Sequence, residues 1–251
     1  MLDAGSGVQL ASEVLADDPQ RKLQVVFTHL HLDHIIGLPM LGALYTNDWD
    51  IDLHAVPGLV SALNHLVAPP FWPIKLGAMP SPPKIHEIAI DTISPDVVAL
   101  RHGGLEVRGT PMPHPNGCTV WRVDDTVSGH ALVFATDIEW SAAGEKHRAQ
   151  FLDLCRSPRP ADLLIMDGHF TDEELPSREG WGHSSVEQCI EIARTTGIPR
   201  LKVTHHAPEN RDKRLLDIEH SAQALWLGAS LARQGEVLDL SAEQRPERTS
   251  S

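Results

Sequence analysis

Three histidines and an aspartate crowd into the segment Thr28-His29-Leu30-His31-Leu32-Asp33-His34, directly behind the apolar run Val25-Val26-Phe27. The run reads as a strand that delivers the segment. His29 and His31 are two apart, so in extended chain they project to one side, and Asp33 repeats that parity. His34 falls out of phase and can reach a second centre. Imidazole nitrogens with a carboxylate oxygen suit borderline transition metals, zinc first. One ion does not need so many ligands, so the segment predicts two. The chain holds 15 histidines, which makes a local cluster less surprising here than elsewhere. An unliganded cluster, however, would have to bury or solvate several polar rings with nothing gained.

The bulk composition sets limits on partners. The 251 residues suffice for a substantial core, and 41% hydrophobic with 22% charged residues is ordinary for a globular chain. No stretch is long and apolar enough to span a bilayer, and no basic-then-apolar leader opens the chain. Cys118, Cys155 and Cys189 are few, odd in number and unpatterned, so no disulfide framework is expected and the cytoplasm is the default compartment. A net charge of −13 argues against a protein that holds long nucleic acid by neutralising phosphates. Bound divalent cations would reverse the sign locally, which leaves a small anionic substrate open.

Along the chain, Asp3-Ala4-Gly5-Ser6-Gly7 reads as a turn, followed by weak helical character as far as Asp18. Leu23–Thr28, Ile51–Val56, Ile85–Ile90, Val97–Arg101, Leu105–Gly109, Thr119–Val123, Ala131–Ala135, Leu163–Met166 and Leu201–Thr204 read as strands. Helices are expected over 35–44, 57–66 and 145–155. A further one follows a capping box of Ser184 with Glu187, and a long last helix carries an apolar stripe from Leu215 to Ala229. The proline-rich stretch 68–83 cannot be regular structure; Phe71 and Trp72 within it are candidates for a lid over an active site, or for ordinary loop packing. Residues 1–240 read as one domain and 241–251 as a disordered tail. Strands and helices mix without strict alternation, which predicts a layered α/β fold with partly antiparallel sheets. His114, Asp137 and the pair His205-His206 each stand at the end of such a strand and could complete a two-metal site.

With these residues in place the chain resembles the metallo-β-lactamase-fold hydrolases, from the Asp3 turn to His205. The resemblance implies a four-layer αββα sandwich with two divalent ions at one edge, zinc first, with manganese or iron as alternatives. It assigns His29, His31 and His114 to one ion, Asp33, His34 and His205 to the other, and Asp137 to both; His206 is the alternative to His205. Asp3 looks like the family's buried carboxylate that orients a metal-bound imidazole. An aspartate at 137 is unlike the true β-lactamases. Gly182-His183-Ser184-Ser185 resembles the His-Ser-Thr segment of ribonuclease Z and related phosphodiesterases, where the histidine is thought to protonate the leaving group.

The chain lacks the basic, glycine-rich arm by which ribonuclease Z proteins grip tRNA. It also lacks the hairpin that family members carry before the Asp3 turn. Either the start is misassigned, or a rearranged segment or second chain, as in a homodimer, covers that sheet edge. The expected function is therefore a dinuclear metal-dependent phosphodiesterase acting on a small or cyclic phosphodiester. Asp33 would accept the attacking water's proton and His183 would act as acid. The alternatives are lactone, ester or β-lactam hydrolysis by the same activated water, or a non-hydrolytic metal-binding protein.

Overall fold

Strand β6 (Cys118–Asp125) shows how the two halves of the molecule are joined. Its side chains alternate: Trp121 and Val123 face one way, Val120 and Arg122 the other. Trp121 is fully buried against Val26, Ile93 and Val107, and its indole N–H donates to the Phe27 carbonyl at 3.0 Å. This small cluster lies between two sheets. Val120 faces the opposite way, into a large cluster with Phe151 and Leu154.

The computed structural model describes residues 1–241, so the expected tail lies outside the described residues beyond Ser241. The first sheet has the order β1 (Lys22–Val26), β2 (Asp50–Ala55), β3 (Lys84–Glu87), all parallel. Leu23, Val25, Ile51 and Leu53 bury its outer face against helices α1 (Val8–Ala16) and α3 (Leu59–Leu66). Residues 1–3 lie along the free side of β1, with a parallel bridge from Leu2 to Val26.

The second sheet has seven strands. Strands β4 (Val98–His102), β5 (Leu105–Met112), β6 and β7 (Ala131–Ala135) are antiparallel, and β7, β8 (Leu163–Asp167), β9 (Leu201–Thr204) and β10 (Ala229–Leu231) are parallel. Its outer face packs on α4 (Glu145–Arg156), α5 (Val186–Thr196) and α6 (Asp212–Leu225). The result is the expected helix–sheet–sheet–helix layering, with one sheet mixed.

Arg122 is the exception in the apolar outer face. It is fully buried, paired with Asp124 at 2.8 Å, and donates to the Leu154 and Cys155 carbonyls at the end of α4. Arg108 also holds Asp124, at 2.7 Å, so the carboxylate keeps one partner if Arg122 is lost. Arg122→Met is expected to cost about 2–3 kcal/mol, because the Leu154 carbonyl loses its donor and the Cys155 carbonyl keeps only the Ala161 N–H. Urea unfolding at neutral pH would measure it, and a variant as stable as the parent would refute this account.

Three local expectations are corrected. Residues 35–44 do not form one helix. A single turn, α2 (Leu32–Ile35), is followed by two 3₁₀ turns at Leu38–Met40 and Gly42–Tyr45. Gly37 intervenes because it is pressed against the Asp3 turn: a methyl group there would overlap the Gly5 carbonyl oxygen. The cap of α5 is one residue later than expected. Ser185 and Gln188 satisfy each other's backbone N–H groups at 3.1 Å, while Ser184 donates to the Ile138 carbonyl. The last helix ends at Leu225, and Ala229 instead opens β10, which gives the parallel run a further edge strand.

Candidate metal centre

Strand direction decides where the polar residues meet. Two antiparallel steps make β5 and β7 run the same way, and β8 and β9 follow β7 in parallel. Four carboxyl ends therefore lie on one edge, and they deliver His114, Asp137, Asp167 and His205 there. The end of β1 joins them where the Thr119 N–H, early in β6, donates to the Thr28 carbonyl at 2.9 Å.

Seven expected donors converge on that edge as two overlapping groups. His29, His31, His114 and Asp137 form one; Asp33, His34, Asp137 and His205 form the other. Within each group one donor atom per residue lies within 4.8 Å of the others, and Asp137 belongs to both. Its Oδ2 is 3.2 Å from His34 Nε2, 3.6 Å from His29 Nε2 and 3.7 Å from His114 Nε2; its Oδ1 is 3.1 Å from His205 Nδ1. Asp137, His205 and Asp3 all have left-handed backbone (φ +56°, +56° and +55°), which non-glycine residues adopt at a cost.

The tautomers follow from hydrogen bonds behind the rings. Asp3, nearly buried, accepts from the Thr28 N–H at 2.7 Å and the Thr28 hydroxyl at 2.9 Å, and is 2.7 Å from His34 Nδ1. The Thr28 hydroxyl oxygen then accepts from His29 Nδ1 at 3.0 Å. His114 Nδ1 donates to the Gly182 carbonyl at 2.8 Å. His29, His34 and His114 thus turn Nε2 toward Asp137.

The electrostatics fit a site built for cations. Burial, followed by the charge of His34, lowers His29 to about 3. Against burial, hydrogen bonds that the ring donates to Asp137 and Asp3 raise His34 to about 10. Burial lowers His205 to about 4, and the neighbouring imidazoles hold Asp137 below the ordinary carboxylate range despite its burial. His29 Nε2 and Asp137 Oδ1 are buried without a hydrogen-bond partner. Orphaned polar atoms of this kind are costly unless an ion or water uses them. Imidazoles and carboxylates in two groups that share one aspartate are a donor set that fits a pair of divalent ions.

His206 lies outside both groups; it lines a cavity of about 270 Å³ with Leu215, Glu219 and Arg233 between α6 and β10. Phe71 is 75% exposed, and Trp72 packs against the core of the first sheet. No hydrogen bond or ring contact among the described residues joins either to the donor groups.

The structure adds residues that sequence reasoning passed over. His183 Nδ1 lies 2.7 Å from Asp167, a fully buried carboxylate at the end of β8. Burial pushes the Asp167 carboxyl well up and His183 down. His169 stacks on His183 with ring centroids 4.3 Å apart, and its Nδ1 donates to the His205 carbonyl. The signal for Asp167 was an acid ending an apolar strand, the same signal that marked Asp137.

Comparison with known proteins agrees with this geometry. The β-lactamase superfamily domain model matches residues 1–206. A ribonuclease Z of Gemmatimonas aurantiaca is 33% identical over 108 residues, or 39% of this chain and 34% of that protein. A ribonuclease Z of Haloferax volcanii is 27% identical over 219 residues, or 71% of this chain and 66% of that protein. The chain thus spans about a third of the first relative's length and just under two thirds of the second's. Human tRNase Z, short form, superposes with a TM-score of 0.67 at 18% identity, covering 96% of this chain and 88% of that one. With strand ends, donor groups and family model in agreement, the chain belongs to the β-lactamase superfamily and has the metallo-β-lactamase fold, with a donor set at its strand ends that could hold metal ions.

Proposed function

We propose that residues 1–240 act as a dinuclear metal-dependent phosphodiesterase on a small or cyclic phosphodiester. In this reading His29, His31 and His114 hold one ion, Asp33, His34 and His205 the other, and Asp137 both. Zinc is the favoured ion, with manganese and iron as alternatives. Bound there, the two ions supply a water made acidic near neutral pH and offset charge on the phosphoryl oxygens.

The observation that carries the phosphate reading is the Asp167–His183 pair beside the donor groups. His183 stacks at 5.0 Å on His205, two residues ahead of the α5 cap. Its Nδ1 is held by Asp167, so Nε2 is the nitrogen left to give a proton to a departing oxygen. Cleavage of a phosphodiester with an alkyl leaving group needs such a donor. Asp33, 60% exposed at its side chain and 3.3 Å from His34, would accept the attacking water's proton in this reading. The ribonuclease Z relatives act on phosphodiesters by name, which supports the bond type. The charge of −13 favours a small anion over a long nucleic acid.

Assaying bis(p-nitrophenyl) phosphate, a lactone and a β-lactam with zinc, manganese and iron tests this reading. Phosphodiester cleavage with about two equivalents of metal is expected. Lactone turnover without phosphodiester cleavage would overturn the substrate class. Less than one equivalent after metal-replete dialysis would overturn the metal centre itself.

A further inference from the structure

Glu139 is buried two residues beyond Asp137, and no Lys or Arg among the described residues pairs with it. Its two carboxylate oxygens accept separately from backbone donors across the site: Oε1 from the Gly180 N–H at 2.8 Å and Oε2 from the Gly182 N–H at 2.9 Å. Both glycines have positive φ (+81° and +89°). Glu139 also donates its own N–H to the Pro113 carbonyl at 2.9 Å, directly before His114. The turn it grips does two things. The Gly182 carbonyl receives the His114 Nδ1 proton at 2.8 Å, and the next residue is His183. Nothing but glycine fits at 182, since a methyl group there would overlap the His114 ring and Pro115.

We propose that Glu139 is a positioning residue that sets His114 and His183 at once, through the turn 180–182. The inference rests on the reading of His114 as a metal ligand. A carboxylate that takes two backbone N–H groups forms charge-assisted bonds, stronger than neutral ones, and it fixes both ends of a turn. The turn's carbonyl then fixes one tautomer of His114, with Nε2 toward Asp137. Glutamine in its place can accept from only one of the two N–H groups, because its amide nitrogen meets the other donor to donor. A partner of this kind, acting behind a ligand, governs metal affinity without touching the metal.

The test is a zinc titration of the purified chain and its Glu139→Gln variant against a chromophoric chelator, with the melting temperature of each zinc-free protein measured alongside. One of the two zinc equivalents is expected to weaken by about 10–100-fold, the range seen when such partners are removed. Equal zinc affinity in the two proteins overturns the inference, even if Glu139→Gln melts at a lower temperature, since that is what a merely structural role would give. Should the variant fail to fold, amide exchange in the wild-type protein decides: the Gly180 and Gly182 N–H groups are expected to be protected, and exchange at free-loop rates overturns the inference. A wild-type chain that binds no zinc would overturn the metal reading and this inference together. Normal zinc binding that Glu139→Gln leaves unaltered would overturn this inference alone.

Discussion

Asp137→Asn is expected to lower phosphodiester hydrolysis by about 10³-fold, since about 4 kcal/mol of lost charge stabilisation is three decades of rate. One metal equivalent should be lost with it. The substitution keeps the side chain's size and removes only its charge. Asp137 is the single residue common to both donor groups, and four imidazoles stand 3.1–3.7 Å from its oxygens. Without the carboxylate, His29, His31 and His114 still make a three-imidazole set of a kind that holds zinc. The other group is left with two imidazoles and Asp33, whose side chain is largely exposed and therefore more weakly held. Metal analysis after dialysis, alongside the rate on bis(p-nitrophenyl) phosphate, reads both effects. Two retained equivalents with a rate within tenfold of the parent would show that Asp137 does not bridge.

Why the donors could be read from sequence, and their supports could not, is a matter of range. His29 and Asp137 each follow an apolar run that ends in a threonine, and His205 follows the alternating Leu201-Lys202-Val203-Thr204, so strand and donor are signalled together, while His114 is marked by the prolines on either side of it. Asp167 follows the same kind of run, but a lone acid there is equally a turn or cap residue, and only the fold sets it against His183. Glu139 carries no local signal, because its partners at Gly180 and Gly182 are on a different segment, brought close by the return from β8 to α5. The helix expected over 35–44 failed for a related reason. Its apolar spacing was right, but Gly37 is recruited to contact the Gly5 carbonyl, and that tertiary contact overrides the periodicity. The α5 cap slipped by one because Ser184-Ser185 and Glu187-Gln188 offer two capping boxes one residue apart. The Ile138 carbonyl takes the first serine and leaves the second to cap.

His183→Ala should separate substrates by their leaving groups. On an alkyl or nucleoside phosphodiester, whose departing oxygen needs a proton, the rate is expected to fall by about 10²–10⁴-fold. On bis(p-nitrophenyl) phosphate, whose phenolate leaves unaided, the fall should be less than about tenfold by the same reasoning. Asp167→Asn leaves an acceptor for His183 Nδ1 but removes the buried carboxyl behind the ring, so it should show the same contrast at smaller amplitude. The sign of the pH effect follows. Burial raises Asp167, so the pair keeps its proton above the ordinary carboxylate range and loses it as pH rises. Activity on the poor leaving group should therefore decline at high pH before activity on the nitrophenyl ester does, and in His183→Ala the two profiles should coincide. Equal losses on both substrates would assign His183 to holding the phosphate. Asp167 would then serve to orient a binding group, and the proton for the leaving oxygen would have to come from elsewhere on the same edge, with His169, stacked on His183, the next residue to replace.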